Sequence, residues 1–185
     1  MWGVTRLDNV VYVVLSQVIK MYSADTLSPL GEDIHIKEMR NPNDIVACRD
    51  DRQLYVADDD SCVWRVSVDD HSYIKWLPTD STTDTFHTLS VTSRRLLVTS
   101  RSHNLREYST TSRRLLRVVT LPDYMSELHH SIETTRGAFV VGHQGTLHNE
   151  LQSAVSQLST TLFASIHRTI YYLITLFNFA RKNNK

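Results

Sequence analysis

The sequence predicts an all-β fold built from a repeated unit of short antiparallel strands. Residues 53–68, QLYVADDDSCVWRVSV, read as strand, acidic turn and strand, because β-prone residues flank a run of aspartates. The pattern recurs around three other positions; taking Tyr12, Tyr55, Leu97 and Phe139 as equivalent gives spacings of 43, 42 and 42 residues. Such a regular period is typical of a repeat array, and four short strands per unit predict a β-propeller.

The first two units each divide into four short β-prone pieces separated by turn residues. The second unit, residues 41–84, begins after Asn41-Pro42-Asn43 and ends with Pro78. The first unit, residues 2–40, contains pieces at 2–7, 10–15, 18–23 and 34–36. Each unit therefore has the strand content of one propeller blade.

The third unit, residues 85–123, starts at about 87–91 and ends with the strand 115–121. The fourth unit, residues 124–157, has strands at about 128–132 and 139–141, followed only by a poorer match near 149–155. We therefore expect an incomplete β-propeller of about three and a half four-stranded blades over residues 1–157.

The C-terminal tail, residues 158–185, has a different composition, and we expect it to be apolar and partly helical with a basic end. His167 and Arg168 interrupt it and leave 12 uncharged residues, against about 20 that a membrane-spanning helix needs. We do not expect membrane association through this tail, although a spanning helix stays open. Two further alternatives for the tail are an amphipathic helix that covers an exposed blade edge and a poorly ordered segment.

The charge is balanced overall but not locally. Twenty basic and twenty acidic residues give a net charge of zero, so no global attraction to nucleic acid or to an anionic membrane is expected. Residues 43–84 contain ten acids and four bases, whereas residues 91–120 contain seven arginines and one glutamate. Neighbouring units thus carry opposite charges and can pair.

Cysteine usage favours a cytoplasmic protein. The chain has only Cys48 and Cys62 and no Asn-x-Ser/Thr site, which excludes a secreted disulfide framework and fits buried thiols in a reducing compartment. The N-terminus also lacks the pattern of a signal peptide.

The second unit resembles the NHL repeat, as found in TRIM-NHL-type propeller domains. The resemblance rests on residues 51–58, DRQLYVAD, followed by residues 62–66, CVWRV, and on the preceding Asn43-Asp44-Ile45-Val46. It implies a six-bladed ring in intact family members, which bind proteins or, in TRIM-NHL proteins, RNA. Ser100 and Leu15-Ser16 depart from the pattern in the other units, so NHL, YVTN-type and WD-type propellers stay hard to separate.

A partial ring has open sheet edges, which can pair with another chain. Either two copies close a ring together by self-association, or the tail covers an edge, or the chain is a fragment of a longer propeller protein. We favour the fragment, because the repeat starts abruptly at Trp2 and breaks off within a blade.

The clustered acids and histidines do not predict a metal site. Asp58-Asp59-Asp60 lacks the spacing of a twelve-residue calcium loop, and we expect a polar turn whose first aspartate accepts hydrogen bonds from backbone amides. His129 and His130 are adjacent on a strand and point to opposite faces. We expect no metal, no cofactor and no catalytic residues, since nothing resembles a nucleophile elbow or a glycine-rich phosphate loop.

The arginines of the third unit are the most prominent surface feature. In a four-stranded blade Arg101 lies in the second-to-third strand loop, on the opposite face from the other loop arginines, and only Tyr108 is a nearby aromatic residue. We therefore favour solvated charges or pairing with the acidic second unit over a nucleic-acid groove. The cluster comprises Arg94, Arg95, Arg101, Arg106, Arg113, Arg114 and Arg117.

We expect ligand binding on the face formed by second-to-third strand loops and loops between blades, because loops on a rigid scaffold are free to vary. This surface, the predicted loop face, gathers Arg40, Asn41, Asp59, Asp60, Arg101, His103, His143 and Gln144. Tyr55 and Val66 are predicted core positions between adjacent blades.

The predicted function is a non-enzymatic interaction module that binds a protein partner. The alternative is RNA binding through the arginine-rich third blade. A propeller-type hydrolase or lyase is the third hypothesis. Such an enzyme would need metal-ligating carboxylates or histidines that converge on the central channel.

Overall fold

The structure is a computed structural model, and it describes residues 3–58, 62–78, 86–100, 104–121, 126–133, 139–144 and 173–177. All regular structure in these residues is β-strand, as predicted. The strands are β1 Val4–Leu7, β2 Val10–Leu15, β3 Val18–Ser23, β4 Ile34–His35, β5 Pro42–Cys48, β6 Gln53–Asp58, β7 Cys62–Ser67, β8 Tyr73–Pro78, β9 Phe86–Thr92, β10 Arg95–Ser100, β11 Asn104–Ser109, β12 Leu115–Thr120, β13 Ser126–Glu133, β14 Phe139–Gln144 and β15 Leu173–Phe177.

The strands form four consecutive antiparallel sheets. Sheet 1 (β1–β4), sheet 2 (β5–β8) and sheet 3 (β9–β12) each have four strands in chain order, and sheet 4 contains β13, β14 and β15. The predicted pieces of the first unit match β1 to β4 closely. The division into a propeller at residues 1–157 and a tail at 158–185 stays a prediction.

The sheets pack face to face through their first strands, as in a propeller. β1 contacts β5, β5 contacts β9, and β9 contacts β13. Gly3, just before β1, lies so close to β5 that an added Cβ would be 2.7 Å from the Ile45 backbone nitrogen. The chain is therefore an incomplete β-propeller, whose inner strands are the first strand of each sheet.

Three apolar clusters fill the junctions between consecutive sheets. Tyr12 of sheet 1 packs with Leu54 and Val56 of sheet 2, and Tyr55 of sheet 2 packs with sheet 3. A third cluster joins sheets 3 and 4. Tyr55 and Val66 are fully buried in these clusters, so their prediction as core positions is confirmed.

The strand period explains why sheets 2 and 3 are apolar on both faces. Alternate residues point to opposite faces, so Tyr55 faces sheet 3 while Leu54 and Val56 face sheet 1. Trp76 strengthens the junction between sheets 2 and 3. Its ring meets Tyr55 edge to face at 5.1 Å and Tyr108 at 6.2 Å.

The predicted equivalence of Phe139 with Tyr12, Tyr55 and Leu97 is wrong by one residue. Tyr55 and Leu97 face the following sheet, whereas Phe139 and Val141 pack back onto Leu97 of the preceding sheet. Because a shift of one residue reverses the face, the residue equivalent to Tyr55 is Val140. Equivalent positions in neighbouring units are 42 or 43 residues apart, because the turns differ in length. The spacing in the sequence therefore does not reveal a shift of one residue.

The helical prediction for the tail is wrong over Leu173–Phe177, the one part of residues 158–185 that the structure describes. These residues form β15, antiparallel to β14, with Leu176 opposite Val140. The run is rich in β-prone residues and satisfies the backbone N–H and C=O groups along the free side of β14. The remaining tail residues and the predicted strand near 149–155 lie outside the described residues.

Within the described part of the chain, no helix has the length and apolar character needed to span a membrane.

Candidate functional site

The predicted loop face is only partly described. Arg40 and Asn41 are exposed residues of the loop between sheets 1 and 2. For His143 and Gln144, at the end of β14, only the backbone is described. Asp59, Asp60, Arg101 and His103 lie outside the described residues. Arg40 and Asn41 are consecutive in the chain, so the convergence of the eight residues stays a prediction.

Asp58 organises the described part of the predicted loop face. Its buried carboxylate accepts hydrogen bonds from the Asn41 amide at 2.8 Å, the Arg40 amide at 3.1 Å and the Trp64 Nε1 at 3.0 Å. The prediction that the first aspartate of the acidic turn binds backbone amides is confirmed. Because its oxygens already have three N–H donors, Asp58 holds the loop between sheets 1 and 2 in place.

Asp44 joins sheets 2 and 3 in a similar way, and the sequence patterns do not predict this role. Its carboxylate accepts hydrogen bonds from the Leu89 amide of β9 and from the Ile45 amide, both at 2.8 Å. Burial raises the pKa of the Asp44 carboxyl, while these amides and the nearby His130 act in the opposite direction. Asp44 and Leu89 are 45 positions apart, so no local pattern signals the contact.

A cleft of about 350 Å³ opens on the other end of the inner strands. This opposite loop face is formed by first-to-second and third-to-fourth strand loops. The cleft is bordered by the ends of β1 and β5 and by the turn after β9, and its charged residues are Arg6, Arg49 and Asp50. The sequence predicts ligand binding on the predicted loop face instead, and no residue pattern signals a cleft here.

Cys48 lines the cleft but is a poor candidate for nucleophilic chemistry. It is buried, and its thiol donates a hydrogen bond to Asp51 at 3.6 Å. Burial raises the pKa of the Cys48 thiol, so the reactive thiolate is disfavoured at neutral pH. The second free cysteine, Cys62, is buried in the junction between sheets 1 and 2, and the prediction of buried thiols is confirmed.

Charged side chains connect the turns of the opposite loop face. Arg52 pairs with Asp8 of sheet 1 at 3.0 Å and with Asp69 of its own sheet at 2.8 Å. Arg94 of sheet 3 lies 3.9 Å from Asp51 of sheet 2, as expected if the basic third unit pairs with the acidic second. Arg52 and Arg94 on this face therefore already contact protein.

The described arginines of the third unit mainly join sheets. The Arg113 guanidinium donates to the Trp76 and Lys75 carbonyls of sheet 2. Arg117 pairs with the buried Glu107 at 3.0 Å and with Glu133 of sheet 4 at 3.1 Å, and it stacks over Phe139. These side chains point to different junctions, so they do not form a common groove.

The outer strand β12 exposes a group of apolar side chains. Leu115, Leu116 and Val118 are 44%, 48% and 49% exposed, although β12 belongs to a well-packed sheet. Among the described residues, β12 is the last strand of sheet 3 and has a strand neighbour on one side only. An apolar edge strand of this kind is a template for pairing with another chain.

Among the described residues, no group of three or more His, Cys, Asp or Glu side chains is arranged to hold a metal ion. His130 is exposed, and the side chains of His129 and His143 and all of His148 lie outside the description.

No family model matches the chain, and no curated protein matches it in sequence. Several solved structures are similar in fold. The chain superimposes on the computationally designed Ika4 protein with a TM-score of 0.60 and 14% identity, over 79% of this chain and 87% of that one.

Two larger natural proteins are also similar. Hydrazine synthase from Kuenenia stuttgartiensis gives a TM-score of 0.63 with 14% identity, and a chain of the mitotic checkpoint complex gives 0.61 with 15% identity. The matches cover 77% and 75% of this chain but 43% and 42% of those chains, so this chain spans less than half their length. Together with the row of four-stranded antiparallel sheets, these likenesses support the β-propeller fold.

Proposed function

We propose that the protein is a non-enzymatic, cytoplasmic propeller module that binds an extended segment of a protein partner at the edge strand β12. The observation that carries the proposal is the exposure of Leu115, Leu116 and Val118 on a strand whose second side has no strand neighbour in the described part of the chain. A partner strand can add to such an edge through main-chain hydrogen bonds, and the alternating side chains provide specificity.

The outer strands of sheets 1 and 2 are less suited to this role. β4 has only two residues. β8 exposes one large apolar residue, Ile74, followed by the exposed Lys75, and a lysine on an edge strand opposes pairing. The one charged residue of β12, Arg117, pairs with Glu107 and Glu133.

The charge around β12 specifies the partner. Residues 91–120 contain seven arginines and a single glutamate as their only acid, and that glutamate is buried between Arg95 and Arg117. The exposed Arg114 directly precedes the strand. An extended segment that alternates apolar and acidic residues complements both features.

We further propose that the blades are of the NHL type. The support is the Asp58 arrangement, in which the aspartate that ends the QLYVAD strand binds the loop before its own blade. A crystal structure in which Asp58 does not accept the Arg40 and Asn41 amides would argue for another propeller type.

The proposal is tested by fluorescence polarisation with a labelled ten-residue peptide of alternating isoleucine and glutamate. Leu116→Glu and Val118→Glu should each weaken binding at least about tenfold, because a carboxylate replaces an apolar contact and repels the acidic peptide. Ile74→Glu on β8 is the matched control, since Ile74 is 42% exposed on an equivalent outer strand, and it should bind normally.

A peptide that binds wild type and all three variants equally, or that does not bind, would contradict docking at β12. A single-stranded RNA probe serves as the second arm. Tight RNA binding with a steep salt dependence, lost in Arg101→Ala or Arg106→Ala, would instead favour the nucleic-acid function.

A further inference from the structure

The outward face of sheet 1 is apolar at its centre, carries Arg6 and Lys20 beside it, and has no partner sheet in the described structure. Its members follow from the strand register, in which Val13 lies opposite Val4 and Lys20, and Val11 lies opposite Arg6 and Tyr22. None of them belongs to the core cluster between sheets 1 and 2. This first-sheet open face comprises Val4, Arg6, Val11, Val13, Leu15, Val18, Lys20 and Tyr22.

The corresponding face is buried in the other sheets. Val11 and Val13 occupy the positions of Leu54 and Val56 in sheet 2 and of Leu96 and Val98 in sheet 3, all of which are fully buried against the preceding sheet. A repeat array that ends in solvent normally has a polar outer face on its terminal unit. The centre of the first-sheet open face, formed by Val11 and Val13, has the composition of a junction rather than that of a cap.

Sheet 4 provides the complementary face at the other end of the row. Val140 is equivalent to Tyr55 and Leu97, which face the following sheet, and Ile132 lies opposite Val140 in the register. Ile132 is 43% exposed. The described residues of sheet 4 pack onto sheet 3, and no apolar cluster joins them to sheet 1.

The existing junctions predict which residues would meet. Tyr12 shares a cluster with Leu54 and Val56, and Tyr55 shares a cluster with Leu96 and Val98. In the third junction, Leu97 packs with Phe139 and Val141. By the same rule Val140 should pack between Val11 and Val13.

We propose that two copies of this chain close a ring, in which sheet 4 of each copy packs on the first-sheet open face of the other. We assign a second copy of the chain as the partner of this face, because each copy carries both faces of the repeated junction. Two identical junctions satisfy twofold symmetry and leave neither face open. The ring has eight sheets, within the usual range of about four to eight blades, and differs from the six that the NHL resemblance implies.

The first test is the oligomeric state of the full chain, measured by sedimentation over a range of concentrations. We expect a dimer whose dissociation constant rises on the order of 100-fold in Val13→Asp, because a carboxylate would be buried at both junctions. Leu27→Asp is the control, since Leu27 is 68% exposed in the loop after β3, and it should dimerise normally. A monomeric wild type, or a dimer insensitive to Val13→Asp, would overturn the proposal.

The second test locates the junction without a destabilising charge. A Val13→Cys chain is mixed with a Val140→Cys chain and oxidised, while the native thiols stay protected because both are buried. A covalent heterodimer is expected for this pair and not for Leu27→Cys with Val140→Cys. Equal cross-linking of both pairs, or none, would contradict the proposed junction.

Discussion

At the scale of single residues, two aspartates carry the contacts that fix one sheet against the next. Asp58 accepts backbone amides from the loop before its own sheet, and Asp44 accepts the Leu89 amide of the following inner strand. The role of Asp58 could be predicted, because an aspartate at the end of a strand and the start of a turn commonly binds nearby amides. The role of Asp44 could not, since its partner belongs to another unit.

Asp44 should make the stability depend on pH in an unusual direction. Its carboxyl has a pKa raised above the ordinary 3.8, so the folded protein binds more protons than the unfolded chain just above that pH. The free energy of unfolding of the wild type, relative to Asp44→Asn, should therefore decrease as the pH rises from about 3.8 through the raised pKa.

Urea unfolding of both proteins at a series of pH values measures this difference. The comparison is repeated in a His130→Gln background, because His130 is the charged neighbour that opposes the shift. A difference that grows with pH would show that the charged form of Asp44 is favoured by folding.

At the scale of elements, arginines in the turns and outer strands connect neighbouring sheets. Arg52, Arg94 and Arg113 adopt positive φ angles of 50°, 62° and 60°. This backbone conformation is unfavourable for residues other than glycine. Each side chain contacts an adjacent sheet, through Asp8, Asp51 and the Trp76 carbonyl. The sequence predicted pairing between the basic and acidic units, but the individual partners depend on how the sheets stack.

Glu107 is the centre of the ion network between sheets 3 and 4. Its side chain is 5% exposed and pairs with Arg95 at 3.1 Å and Arg117 at 3.0 Å. Glu107→Ala leaves two half-buried arginines with fewer partners and should lower the free energy of unfolding by about 2 kcal/mol.

The matched control for Glu107→Ala is Asp33→Ala, which breaks the exposed Lys20–Asp33 pair and should cost about 0.5 kcal/mol or less. Chemical denaturation measures both variants. Equal losses would mean that the burial of the Glu107 network adds nothing to stability.

At the scale of the whole molecule, the inner strands β1 and β5 approach each other closely at Gly3. Gly3 has no room for a side chain, because its neighbour across the junction is the β5 backbone rather than a flexible side chain. Gly3→Ala should separate β1 from β5, lower stability by about 1–3 kcal/mol and speed amide exchange in β1.

Hydrogen exchange with mass spectrometry measures the local effect of Gly3→Ala. Gly142→Ala is the control, since its added Cβ would meet its nearest neighbour at 3.6 Å, an ordinary contact. Unchanged exchange in β1 would show that the junction between sheets 1 and 2 tolerates a wider spacing.

The sequence by itself determined the all-β class, the positions of most strands, the buried Tyr55 and Val66 and the role of Asp58, because alternation and turn residues are local signals. Only the tertiary structure decided the rest. The face on which Phe139 lies, the pairing of Leu173–Phe177 with β14 and the contact from Asp44 to Leu89 all depend on segments far apart in sequence. The exposure of β12 and the lack of a described partner for the first-sheet open face likewise depend on which sheets pack together, and the strand period carries no information about that packing.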